Sequence, residues 1–154
     1  MPKVITMDLI KTFREQTGAG VMDAKKALQE CDGDMEKALA WIQKKGIARA
    51  EKKADREAKA GVVASYVHAG SQIATLVELN CETDFVAKTD DFMNLGREVA
   101  MQVASMSPEN VEELLKQAYI RDAKLTIEQL VKITAGKVGE NIVVRRFSRM
   151  QVGE

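Results

Sequence analysis

The sequence predicts an α+β protein in three parts: a three-helix domain over residues 1–46, a helical linker over 47–60, and an α+β core over 61–154. Three observations predict it. Apolar residues recur at helical spacing through the first 46 positions. An alanine-rich, highly charged stretch of good helix formers follows. Then two β-branched segments, several helical patterns and a final β-rich segment imply a three-stranded, mostly antiparallel sheet with helices on one face.

In the first part, Thr6 is placed to cap a helix whose Leu9, Ile10, Phe13 and Thr17 share a face, and Gly18-Ala19-Gly20 ends it. Val21, Ala24, Ala27 and Leu28 line a second helix, broken at Asp32-Gly33. Asp34 caps a third, with Ala38, Leu39, Trp41 and Ile42 on its apolar side and Gly46 as its stop. Three helices this short bury little surface, so their core is small. Residues 47–60 (IARAEKKADREAKA) read as a solvated helix ended by Gly61.

Residues 62–69 and 73–81 read as a hairpin turned at Gly70-Ser71. Thr89 caps a long helix in which Asp90 and Asp91 suit the positive end and Phe92, Leu95, Val99, Val103 and Met106 form the buried stripe. The next helix starts at Ser107-Pro108-Glu109, proline taking the first helical position, with Val111, Leu114, Leu115 and Ala118 facing inward. Thr126 with Gln129 makes a capping box, Gly139 stops that helix, and 141–150 is a strand. No helix remains to cover the second face of the sheet, so it is either wet or covered by another subunit.

Composition narrows the function. Apolar residues make up 45% and charged residues 30%, with 23 basic against 23 acidic side chains, the profile of a globular protein without a field to draw in nucleic acid or anionic lipid. The opening MPKVITMDLIKTF lacks the pattern of a signal peptide, and no stretch is apolar enough for a membrane span. A soluble, cytoplasmic protein with free thiols at Cys31 and Cys81 is expected. Two cysteines and one histidine argue against a structural zinc.

No catalytic constellation stands out. His68 has no nucleophile elbow or supporting acid near it, and Thr17-Gly18-Ala19-Gly20 lacks the Lys-Ser or Lys-Thr of a phosphate loop. Asp32, Asp34 and Glu36 lack the length of a calcium loop and suit helix capping better. Lys44, Lys45, Arg49, Lys52, Lys53, Arg56 and Lys59 form a basic run, followed later by Arg145, Arg146 and Arg149, but acids interrupt the run and no aromatics interleave for base stacking. Asn80-Cys81-Glu82-Thr83-Asp84-Phe85-Val86 is harder to explain by folding. Burial statistics place Phe85 in the core, whereas an aromatic knob beside an acid on a rigid turn suits a partner's pocket.

Three ordered segments resemble the elongation factor Ts family. They are Arg14-Glu15-Gln16-Thr17-Gly18-Ala19-Gly20-Val21-Met22-Asp23, Glu78–Lys88, and Gly136-Lys137-Val138-Gly139-Glu140-Asn141-Ile142 with Arg145-Arg146-Phe147. The resemblance implies a ubiquitin-associated-like domain for the first three helices and a non-enzymatic guanine-nucleotide exchange factor as the function. Its partner would be elongation factor Tu, which itself binds GDP, GTP and magnesium, so no cofactor belongs to this chain, and neither nucleic acid nor membrane is an expected partner. Phe85 would wedge between helices of that GTPase and disturb its magnesium site, with Asp84 making polar contacts, Thr83 capping the turn and Val86 adding packing. Arg14, Val21 and Met22 would grip its nucleotide-binding domain, Val21 standing where family members often have methionine. Longer members carry two copies of the α/β subdomain. This chain has room for one, which implies a homodimer through the open sheet face.

Overall fold

A computed structural model describes residues 3–154. Thr6 Oγ1 accepts from the Leu9 backbone N–H at 3.1 Å and starts α1 (Met7–Thr17). After the Gly18–Gly20 loop, α2 (Val21–Glu30) turns its Ala24, Ala27 and Leu28 onto Ile10 and Phe13. Asp34 caps α3 (Met35–Glu51) by accepting from the Lys37 N–H at 3.1 Å. Ala38 completes this small first core.

The chain then forms β1 (Ala60–Val67) and β2 (Ile73–Cys81), a single helical turn α4 (Asp84–Ala87), and the long α5 (Asp90–Met106). Next come α6 (Val111–Lys116), a small hairpin of β3 (Ala118–Tyr119) and β4 (Asp122–Thr126), α7 (Ile127–Val138) and β5 (Val143–Gln151). The sheet is antiparallel in the order β1-β2-β5, which bears out the α+β class. Val77 of β2 lies opposite Ala64 and Phe147, and this face packs under Phe92, Leu95, Val99 and Val103 of α5 as the second, larger core. Thr75, Val77, Leu79 and Cys81 alternate inward along β2, while Leu76 and Glu78 point away from the core. The outward face carries exposed Val63, Val67, Leu76 and Met150 and an Arg146–Glu78 ion pair at 2.8 Å.

Five elements differ from expectation. Gly46 is no stop: α3 runs on to Glu51, and Gly46 is buried against Gly136 of α7. A Cβ on Gly136 would lie 2.2 Å from the Gly46 carbonyl oxygen, so glycine here permits two helix backbones to touch. Beyond Glu51 the chain turns irregularly and is not helical, since the backbone carbonyls of Ala54 and Arg56 bond to Asn141 instead of continuing a helix. Pro108 precedes α6 without entering it, because the Asn110 side chain caps that helix by accepting from Glu113 N–H at 2.8 Å. Ala118 accordingly sits in β3, exposed, and not on a helix. Met106 is exposed at the end of α5; Gln102 is buried on that helix instead, donating to the Ala118 carbonyl at 3.0 Å and accepting from Ile120 N–H at 3.0 Å. The β3–β4 hairpin lacked a sequence signal because its pairing is only a few residues long.

Candidate functional site

The turn after β2 is built to hold one side chain outward. Thr83 is extended, and its Oγ1 accepts from the Val86 N–H at 3.3 Å, capping the single turn of α4. Val86 and Ala87 are buried and anchor the turn to the core. Asp84 is exposed beside the helix start, where its charge is favourable. Phe85 is 83% exposed. Isolated folding gives no reason to leave that much aromatic surface in water, so the core position favoured by burial statistics is not the one adopted.

Cys81 closes the strand below. Its Sγ donates to the Thr83 carbonyl at 3.1 Å. Burial pushes the thiol's pKa up, and the nearby Glu140 charge adds to the effect. It is a structural thiol and not a nucleophile. From the far side, Glu140 accepts hydrogen bonds from Glu82 and Thr83, a contact that pattern reasoning did not assign. The only sequence signal was its place in the segment Gly136–Ile142.

The second expected group lies on the first two helices. Arg14 Nε donates to the Ala19 carbonyl at 3.2 Å, so the guanidinium folds over the loop that leads to Val21 and Met22. Val21 is partly exposed and Met22 almost fully so. Among the described residues, no hydrogen bond or ion pair joins this group to residues 83–86. What connects them runs through the fold: α2 packs on α3, α3 packs on α7 through Gly46 and Gly136, and Glu140, just past α7, accepts a hydrogen bond from Thr83.

About half of the basic residues are engaged within the fold. Lys45 and Arg49 hold Asp23 at 3.3 and 2.8 Å, Lys53 donates to the Gly139 carbonyl, and Arg145 donates to Asn80 and the Ala58 carbonyl. Arg149 donates to the Ala104 carbonyl. A phosphate-binding face needs free cations on one side. His68 lies just past β1, its ring bonded to the Tyr66 hydroxyl at 3.0 Å.

Residues 82–154, which begin at this turn, match the family model described as elongation factor TS. A protein named elongation factor Ts from Prochlorococcus marinus is 44% identical across 97% of this chain and 90% of its own length. The chain belongs to the elongation factor Ts family. Another elongation factor Ts, from Synechococcus elongatus, is 42% identical across 97% of this chain and 89% of its own length. A third, from a Synechococcus species, is 40% identical across the full chain and 91% of its own length. The alignment with the Prochlorococcus relative runs over 196 positions against the 154 residues here, so these members of the elongation factor Ts family carry internal segments without a counterpart in this chain. No helix among the described residues is long and apolar enough to cross a membrane.

Proposed function

We propose that this chain is a non-enzymatic guanine-nucleotide exchange factor that binds elongation factor Tu and promotes GDP release. The observation that carries this is Phe85, 83% exposed on a capped, anchored turn beside Asp84. Phe85 is the wedge that distorts the GTPase near its magnesium and nucleotide; Asp84 adds polar contacts, Thr83 holds the turn, and Val86 roots it. Arg14, Val21 and Met22 form a second contact, on a helical domain of residues 1–46 joined through 47–60 to a core of 61–154. The relatives' name, elongation factor Ts, supports a setting in protein synthesis, and this reading puts the chain in the cytoplasm.

Exchange needs no catalytic group, only tighter binding to the distorted, nucleotide-poor partner. A thousandfold weakening of nucleotide binding takes about 4 kcal/mol of coupling. Two aromatic or apolar hot spots at about 2 kcal/mol each supply it. Because coupling is reciprocal, nucleotide entering the partner expels the factor.

Release of fluorescent GDP from purified elongation factor Tu tests this directly. The native chain accelerates release, and Phe85→Ala loses about thirtyfold of that acceleration, the worth of one such hot spot. Equal rates with native chain, variant and buffer would sink the proposal.

A further inference from the structure

Beyond Phe85 itself, the exposed knob needs something to set its angle. A single helical turn of four residues has little rigidity of its own. Val86 and Ala87 root it in apolar packing, which is non-directional. Directional contacts come from residues 139–141, at the end of α7. One oxygen of the Glu140 carboxylate accepts from two successive backbone groups, Glu82 N–H at 3.1 Å and Thr83 N–H at 3.0 Å. The other accepts from the Thr83 hydroxyl at 2.8 Å. That hydroxyl also accepts from Val86 N–H, so its one proton is committed to Glu140 and its lone pair to the cap. The cap and the latch therefore share one oxygen atom.

The contact is reciprocal. Glu82 Oε1 accepts from the Asn141 backbone N–H at 2.8 Å, and buried Asn141 donates from its side chain to the Arg56 carbonyl at 2.8 Å and the Ala54 carbonyl at 3.3 Å. Lys53 Nζ donates to the Gly139 carbonyl at 2.7 Å. Three chain segments far apart in sequence are thus tied at one point. Hydrogen bonds to an ionised carboxylate are the strong and directional kind.

We infer that Glu140 is a positioning residue for nucleotide exchange: its carboxylate, carried on the end of α7, sets the direction in which Phe85 leaves the surface. This rests on Phe85 acting as the wedge. Removing the carboxylate leaves Val86 and Ala87 to hold the turn to the core but frees the Thr83 hydroxyl and two backbone donors. The knob then still meets the partner but pushes along the wrong line.

The test measures GDP release from elongation factor Tu against concentration of the full chain, for native protein, Glu140→Ala, Glu140→Gln and Phe85→Ala, with a melting curve for each. Glu140→Ala is expected to lower the release rate at saturation by about tenfold or more while the half-saturating concentration moves by less than about threefold, the mark of misorientation and not of lost affinity. Glu140→Gln keeps an acceptor for the two backbone donors but trades charge-assisted bonds for weaker neutral ones, so its saturating rate is expected to fall about two- to fivefold, less than that of Glu140→Ala. A native saturating rate in Glu140→Ala, or a loss seen wholly as a raised half-saturating concentration, overturns the inference. Should Glu140→Ala melt far below the native chain, Glu140→Gln decides: a saturating rate reduced by about twofold or more at native melting temperature supports the latch, and an unchanged rate overturns it. Phe85→Ala separates the two levels. If it exchanges at the native rate, the wedge itself is wrong; if it is slow while Glu140→Ala is native, only the latch is wrong.

Discussion

Asp23 shows how one side chain links local sequence to stability. It opens α2, yet its carboxylate is held by Arg49 at 2.8 Å and Lys45 at 3.3 Å from α3. Burial alone would raise its pKa, but the hydrogen bonds and charges of Arg49 and Lys45 outweigh burial and hold it below the ordinary 3.8. A depressed folded value stabilises above the unfolded pKa and loses that contribution as pH falls through the folded one. Asp23→Asn should therefore cost about 1 kcal/mol near pH 6, with the gap to native shrinking as pH falls below the ordinary carboxylate range. Melting temperatures of both proteins across that range check it; a gap independent of pH would assign the loss to packing. Phe85 teaches the opposite lesson at the same scale, since its exposure serves no interaction within the chain.

Helix α7 does the joining. One side of it meets α3, with Gly46 and Gly136 in backbone contact, and Lys132 reaches Glu51 of α3 at 3.3 Å. Its C-terminal Gly139, at φ 80°, turns the chain so that Glu140 and Asn141 face the β2–α4 turn. Gly136→Ala poses a contest of magnitudes. Alanine improves helix propensity by about 1 kcal/mol. The added Cβ would sit 2.2 Å from a backbone oxygen that cannot rotate away, and forcing packed helices apart costs about 1–3 kcal/mol. A lower melting temperature is expected. A stabilised variant would show that α3 and α7 separate freely.

At the scale of the molecule, the sheet has one covered and one open face. The open face presents Val63, Val67, Leu76 and Met150 beside the Arg146–Glu78 pair. The homodimer that the family resemblance implies would place a second chain on this face, standing in for the second subdomain of longer family members. Light scattering at micromolar concentration should then give a mass near twice the 17.0 kDa chain, falling to the single-chain mass in Leu76→Arg. A native mass of one chain would rule the homodimer out.

Much of this was legible in one dimension. Caps at Thr6, Asp34, Thr89 and Thr126, the stop at Gly139 and the three main strands follow from local physics, because a helix terminus or a β-branched run carries its own signal within a few residues. The turn at 83–86 was legible as a segment with Thr83 as its cap. The outward direction of Phe85 followed from the family resemblance and not from burial physics, while the passage of α3 through Gly46 and the hold of Glu140 on Thr83 were not legible. Each depends on a partner far away in sequence: Gly136 for Gly46, and residues 82–83 for Glu140, 57–58 positions off. By itself, then, the sequence determined most of the elements, the main helix caps and the family, since those are set by neighbours along the chain. Only the tertiary structure decided which glycines are contacts and which carboxylate is a latch, because those roles come from groups that folding alone brings together.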